Sequence, residues 1–330
     1  MTTPDSEPVM VASFELPSSV FLSPQSQQFL QQEQQRQLRL QEDCPSPVDD
    51  INAYRQHLDS QYFFEIIARL KDRYAVTIES TTIAGVAVDI IAPVAVAADY
   101  QDKVLINLHG GMFMVGGGGG GQAESIPIAD LSGYKVISID YRMHPEYAYP
   151  AATEDVIAVY QALLKDYSAD NIAIYGSSAG AILGGQVIAQ LLREGLPVPA
   201  AIGMIGGAPL PIAGDANYFS AAITASPPIH LHDLAYLKDV AEDDAEALPG
   251  LNNALLKQFP PTVLITATRD LVMGQVVTMH NRLIQNGAEA ELYVWDGVGH
   301  VFTVIPGLPE AEQALAVLAQ FLCKHLQSKP

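Results

Sequence analysis

The sequence predicts an α/β protein with a mostly parallel eight-stranded sheet, helices on both faces and a helical cap. Three observations carry that prediction. Short, wholly apolar segments alternate with stretches of helical length, the pattern of a sheet buried on both faces. The first two strand-like segments are separated only by a short turn, which implies an antiparallel start. Residues 207–260 hold no clear strand and are too long for a plain strand-to-helix connection. A chain of 330 residues, 49% hydrophobic and 16% charged, has the material for a large core.

Residues 1–24 are rich in Pro and Ser and read as irregular. A Gln-rich helix is expected over Ser26–Leu40, ended by Cys44-Pro45-Ser46-Pro47, and a second over Val48–Leu70. Both are moderately polar, so they should cover something rather than form the core. Strands are expected at Tyr74–Ser80, Val86–Ile91, Val104–Leu108, Val136–Ile139, Ile172–Tyr175, Ala201–Ile205, Val263–Ala267 and Ala290–Trp295. Helices are expected at Ala152–Asp166, Ala179–Arg193, Gly274–Asn286 and Pro309–Leu326. The expected organisation is 1–72, N-terminal helices contributing to a cap; 73–206, the first part of the core; 207–260, an inserted cap segment; and 261–330, the second part of the core.

Lys+Arg 17 against Asp+Glu 37 gives a formal charge of −20. That excess argues against a nucleic-acid binder, which needs clustered cations, and against adhesion to an anionic membrane surface. A small neutral or apolar substrate is compatible with it. Cys44 and Cys323 make no disulfide framework and no CxxC metal knuckle. The eight histidines are scattered, so neither a metal nor another cofactor is expected. No apolar run reaches the length of a membrane span. The first 25 residues contain Asp5 and Glu7, no Lys or Arg and no apolar run, so the expectation is cytoplasmic; a chain already trimmed of a signal would look the same.

Gly176-Ser177-Ser178-Ala179-Gly180 follows one buried strand directly and opens a helix. This G-x-S-x-G in strand–turn–helix context presents its central serine on a sharp turn. Ser178 is therefore the expected nucleophile. His109-Gly110-Gly111 ends another buried strand, where paired glycines let backbone N–H groups face a cavity. Gly110, Gly111 and Ala179 are the expected oxyanion donors. Met112, Phe113 and Ser177 are placed around the pocket, and His109 orients the loop. The run Gly116–Gly121 lacks the GK[ST] ending of a phosphate loop, so it reads as a mobile segment or linker.

Asp270 and His300 both follow carboxyl ends of strands, where parallel sheets place ligands. The order serine, acid, histidine makes Asp270 the acid and His300 the base, with Asp296 a rival four residues before the base. Val301 and Phe302, directly after the base, are assigned to the pocket.

With these segments in place, the sequence resembles the bacterial hormone-sensitive-lipase-like branch of the α/β-hydrolase carboxylesterases. His109-Gly110-Gly111 is similar to the HGG(G) oxyanion motif. Asp140 to Glu146, then Tyr149-Pro150-Ala151-Ala152 and Asp155, resemble DYRLAPE…FPAA…D. Gly176–Gly180 resembles the G-D-S-A-G elbow, and Asp270-Leu271 and His300-Val301-Phe302 match the acid and base segments. The motifs span Tyr74 to the C-terminus. The resemblance implies the α/β-hydrolase fold, a cap built from N-terminal helices and an insertion, and hydrolysis of short- to medium-chain acyl esters without interfacial lipase activity. Arg142 and Glu146 are expected to brace the loop beside the oxyanion turn. Three positions depart from the pattern: Met112 stands for the third glycine and narrows the alcohol side, Ser177 for a frequent aspartate, and Ala181 for a frequent glycine.

Ester hydrolysis through an acyl-enzyme is the function these residues support. The same triad would serve an amidase, a carbamate or lactone hydrolase, or an acyltransferase, and a matched ester–amide comparison separates these. A non-catalytic small-molecule binding protein is disfavoured by the presence of Ser178, Asp270 and His300 together. The last strand, as an exposed sheet edge, leaves a homodimer open.

Overall fold

A computed structural model describes residues 10–11, 15–42, 44–94, 102–224 and 226–326. Eight strands form one sheet in the order β1-β2-β4-β3-β5-β6-β7-β8. They are β1 (Val76–Ile83), β2 (Val86–Pro93), β3 (Val104–Leu108), β4 (Lys135–Ile139), β5 (Ile172–Ser177), β6 (Ala201–Ile205), β7 (Thr262–Arg269) and β8 (Ala290–Gly299). β2 runs antiparallel to β1 and β4. The six strands from β3 to β8 are parallel to one another. β3, β5 and β6 are buried along their whole length, which explains their unbroken apolar sequence. β8 outruns its expected end at Trp295, because beyond a bulge in β8 itself Arg269 pairs with Gly299.

The N-terminal region holds α1 (Pro24–Glu42), α2 (Ile51–His57) and α3 (Phe64–Lys71). The single helix expected over Val48–Leu70 is divided: Asp50 caps α2 by accepting the Ala53 N–H at 2.9 Å, and a π-helical turn, Leu58–Phe63, separates α2 from α3. Then α4 (Gly119–Ser132) fills the interval between β3 and β4. No helix was expected there, and half of the glycine run proves to be its first turn, not a mobile linker. A Cβ on Gly117 would overlap the Asp140 carboxylate, and one on Gly121 would overlap the Ser138 hydroxyl. The run is glycine because this chain lies directly against its neighbours.

α5 (Ala151–Leu163), α6 (Ala179–Glu194), α9 (Met273–Gln285) and α10 (Pro309–Leu326) fall close to their expected places. Residues 207–260 form a helical insertion with α7 (Asp215–Thr224), short 3-10 turns and α8 (Asn253–Leu256). Buried side chains of α5, α6, α9 and the insertion join one hydrophobic cluster with the sheet. Those of α3, α4 and α10 join a second, and Phe29, Leu30, Tyr62 and Phe63 of the N-terminal region pack there. The N-terminal helices and the insertion thus pack into different clusters. Cys44 and Cys323 are both free. Among the described residues no helix is long and apolar enough to cross a membrane, and no group of His, Cys, Asp and Glu is placed to hold a metal ion.

Candidate active site

β5 ends at Ser177 and α6 begins at Ala179, leaving Ser178 alone at the corner with φ 50° and ψ −114°. Non-glycine residues hold such backbone only where packing enforces it. The enforcement is visible at the flanking glycines. A Cβ on Gly180 would overlap the Leu108 carbonyl, and one on Gly176 would lie 2.6 Å from the Gly180 carbonyl. The serine hydroxyl is therefore raised at the N-terminus of a sixteen-residue helix.

His300 Nε2 lies 2.9 Å from Ser178 Oγ, and His300 Nδ1 lies 2.7 Å from Asp270 Oδ1. Asp270 is 1% exposed. Its Oδ1 also accepts the Val272 N–H at 3.1 Å, and its Oδ2 the Thr266 hydroxyl at 3.0 Å. Burial alone would raise the Asp270 carboxyl; the His300 charge, the His300 bond and these two donors outweigh it and hold it below the ordinary range. Burial alone would lower His300, but Asp270 outweighs that and lifts the imidazole above its usual 6.5. Asp296, the rival acid, instead accepts from the Ser19 and Thr268 hydroxyls. This arrangement can take a proton from a serine hydroxyl and hold the resulting imidazolium.

The oxyanion side differs from expectation at one residue. The Gly110 N–H donates to Glu124 Oε1 at 2.9 Å, so it faces away from the task assigned to it. Among the described residues the N–H groups of Gly111, Met112 and Ala179 donate to no protein acceptor, which leaves them for an oxyanion. Met112 was not expected among these donors. His109 is buried, stacks on Tyr141 at 4.2 Å, and places Nδ1 2.7 Å from the Gly110 carbonyl. Burial pushes its pKa down to about 4, so it is neutral. The Tyr141 hydroxyl donates to the His109 carbonyl at 2.7 Å, fixing the start of the turn.

A cavity of about 100 Å³ opens beside Ser178 and His300, walled by Met112, Ile182, Ile212, Ile229, Leu234 and Leu271. Met112 keeps its expected place. The other four pocket assignments do not line this cavity. Phe113 is fully buried and stacks on Tyr236 at 4.6 Å. Ser177 turns inward and donates to Glu124 in a short hydrogen bond. Phe302 is buried 5.7 Å from the Trp295 ring. Val301 lies beside Gly206 with φ 48°.

The alpha/beta hydrolase fold family matches residues 105–304 of this chain. The crystal structure of an esterase, E25, superposes with a TM-score of 0.82 at 31% identity, covering 98% of this chain and 100% of that one. The chain belongs to the α/β-hydrolase family. An acetyl-hydrolase of Streptomyces hygroscopicus is 28% identical over 233 residues, 68% of this chain and 77% of that protein. An esterase of the bacterial hormone-sensitive lipase family shares the fold, with a TM-score of 0.75 at 24% identity over 92% of this chain and 99% of that one. This α/β hydrolase is a serine hydrolase.

Around the hydrolase site Arg142 and Glu146 are each held by other partners rather than by one another. Arg142 bonds Asp155 through Nε and its backbone N–H, both at 2.8 Å, and Glu154 at 2.8 Å. Glu146 is held by Arg55 of α2 through two bonds of 2.8 and 2.9 Å. Arg55 also donates to the carbonyls of Met114 and His144, each at 2.8 Å. Arg55, Glu124 and the apolar walls from the insertion were all missed from sequence. A lone acid between Gln122-Ala123 and Ser125-Ile126 was the only signal for Glu124.

Proposed function

We propose that this hydrolase cleaves short-chain acyl esters through a Ser178 acyl-enzyme. Ser178 attacks the ester carbonyl while His300 Nε2 takes its proton, and Asp270 holds the imidazolium. The N–H groups of Gly111, Met112 and Ala179 receive the oxyanion. His300 protonates the departing alcohol, then activates the water that releases the acid. The observation that carries this reading is the continuous Ser178–His300–Asp270 relay at the mouth of an apolar cavity.

The cavity's size points to the short end of the short- to medium-chain range. About 100 Å³ is less than the roughly 150 Å³ of an apolar cavity that takes benzene, so it has room for an acyl group of a few carbons. The relatives named as esterase and acetyl-hydrolase support the same reading. We assign residues 207–260 as the cap part that meets substrate, since Ile212, Ile229 and Leu234 line the cavity. Residues 1–72 are assigned to bracing the oxyanion loop through Arg55.

The test is a kcat/KM panel of esters varied separately in acyl and alcohol length, with matched amides. Turnover should peak at two to four carbons, about the cavity's capacity, fall steeply beyond, and vanish in Ser178→Ala. A flat acyl profile would reject the cavity assignment, and retained activity in Ser178→Ala would reject the nucleophile.

A further inference from the structure

Behind the oxyanion turn lies a carboxylate that takes no part in the proton relay. Glu124 stands in the second turn of α4, and its Oε1 accepts the Gly110 N–H at 2.9 Å and the Ser177 hydroxyl in a short hydrogen bond. Its Oε2 accepts from Asn107 Nδ2 at 3.0 Å, and Asn107 Oδ1 accepts the Ser138 hydroxyl at 2.9 Å. The contact is close on every side. A Cβ on Gly110 would lie 3.0 Å from Ser177 Oγ and 3.4 Å from Glu124 Oε1.

These partners are not arbitrary places on the chain. Gly110 directly precedes Gly111 and Met112, and Ser177 directly precedes Ser178 and Ala179. One carboxylate oxygen therefore ties together the two segments that carry the uncommitted N–H groups. We propose that Glu124 is a positioning residue of the oxyanion hole, setting the distance between the 110–112 turn and the serine elbow.

The alternative is plain packing. A side chain needed only to fill space here would be apolar, because desolvation penalises a carboxylate and pushes this one up to about 7. Hydrogen bonds from Ser177, Gly110 and Asn107 oppose that penalty, but no cation does. Nearby Tyr141, Tyr175 and His109 are uncharged at neutral pH. A costly group aimed at three donors is explained by what it holds in place. Ser177, which stands where the family pattern has an aspartate, is one of the groups this carboxylate meets.

The inference rests on the serine-esterase reading above, and the experiment separates the two. Steady-state hydrolysis of p-nitrophenyl acetate and thermal unfolding would be measured for wild type, Ser178→Ala, Glu124→Ala, Glu124→Gln and the double variant Glu124→Ala/Ser177→Asp. In Glu124→Ala, kcat should fall about 10- to 100-fold, with KM within about twofold because the cavity walls are untouched. Glu124→Gln keeps one oxygen that can accept from Gly110 and Ser177 and loses only the acceptor for Asn107, so its kcat should fall less than that of Glu124→Ala. The double variant, which returns a carboxylate to Gly110 from the opposite wall, should regain about tenfold over Glu124→Ala. Wild-type kcat in Glu124→Ala would overturn the role, as would a loss confined to KM or a double variant no faster than Glu124→Ala. If Glu124→Ala does not fold, Glu124→Met, of similar length and with no oxygen to accept, decides by the same fall in kcat. A wild type without Ser178-dependent turnover would overturn both readings; an active wild type with unchanged Glu124 variants overturns only this one.

Discussion

His300 shows how much of a site rests on one neighbour. Asp270 lifts the imidazole above 6.5, and the base must be neutral to accept the serine proton. Activity is therefore lost as pH falls through the raised value, so the acid limb of kcat/KM should lie above 6.5. Asp270→Asn removes the lifting charge; the limb should move down and kcat should drop by about 10⁴, read from a pH–rate profile. Glu124 links pH to stability instead of to rate. Its carboxyl binds a proton more tightly in the fold than at its ordinary 4.5, so its contribution is full below 4.5 and is lost as pH rises to about 7. Unfolding of Glu124→Gln across that window should show a weaker decline than wild type. Met112 has φ 56° and is 40% exposed at the cavity wall. Met112→Gly should relieve that backbone and admit bulkier alcohol groups; an unchanged alcohol profile would reject its narrowing role. At this scale the triad was legible because tight turns allow few residues around it. Phe113 and Ser177 were not, because adjacency to a functional residue does not say which way a side chain points.

Among the elements, α4 was the hardest to read. Three leading glycines and an internal Pro127 contradict every local preference for a helix. Packing overrides propensity here: Ile126, Ile128 and Ala129 are fully buried in the core, while the glycines let the helix start close to the sheet. Gly121→Ala puts a better helix former into a helix, yet its Cβ would overlap Ser138. We expect it to destabilise by about 1–3 kcal/mol in denaturant unfolding. A gain in stability would show that the neighbour yields. The strands were read well because short apolar runs buried on both faces leave little ambiguity, as at Val104–Leu108 and Ala201–Ile205, whose bounds coincide with expectation. The π-helical turn at Leu58–Phe63 had no such signature.

For the whole molecule, the parallel sheet, insertion and family were all legible, because they follow from the order of apolar segments and motifs along the chain. The walls of the cavity were not, since they come from an insertion with no regular period. The acid excess of −20 disfavours anionic substrates and assists release of a carboxylate product. β8 is the terminal strand of the sheet, and Val294 is 45% exposed on it. If that edge pairs two copies, sedimentation should find a dimer that Val294→Lys separates; a monomeric wild type would reject the pairing.

The insertion also sets an order of appearance. Ser178 precedes it, while Asp270 and His300 follow it on the last two strands. A growing chain thus exposes its nucleophile long before the base exists. Without that base the hydroxyl is an ordinary alcohol. Under the proposed assignment, a chain whose last two strands have not yet docked has no base beside Ser178.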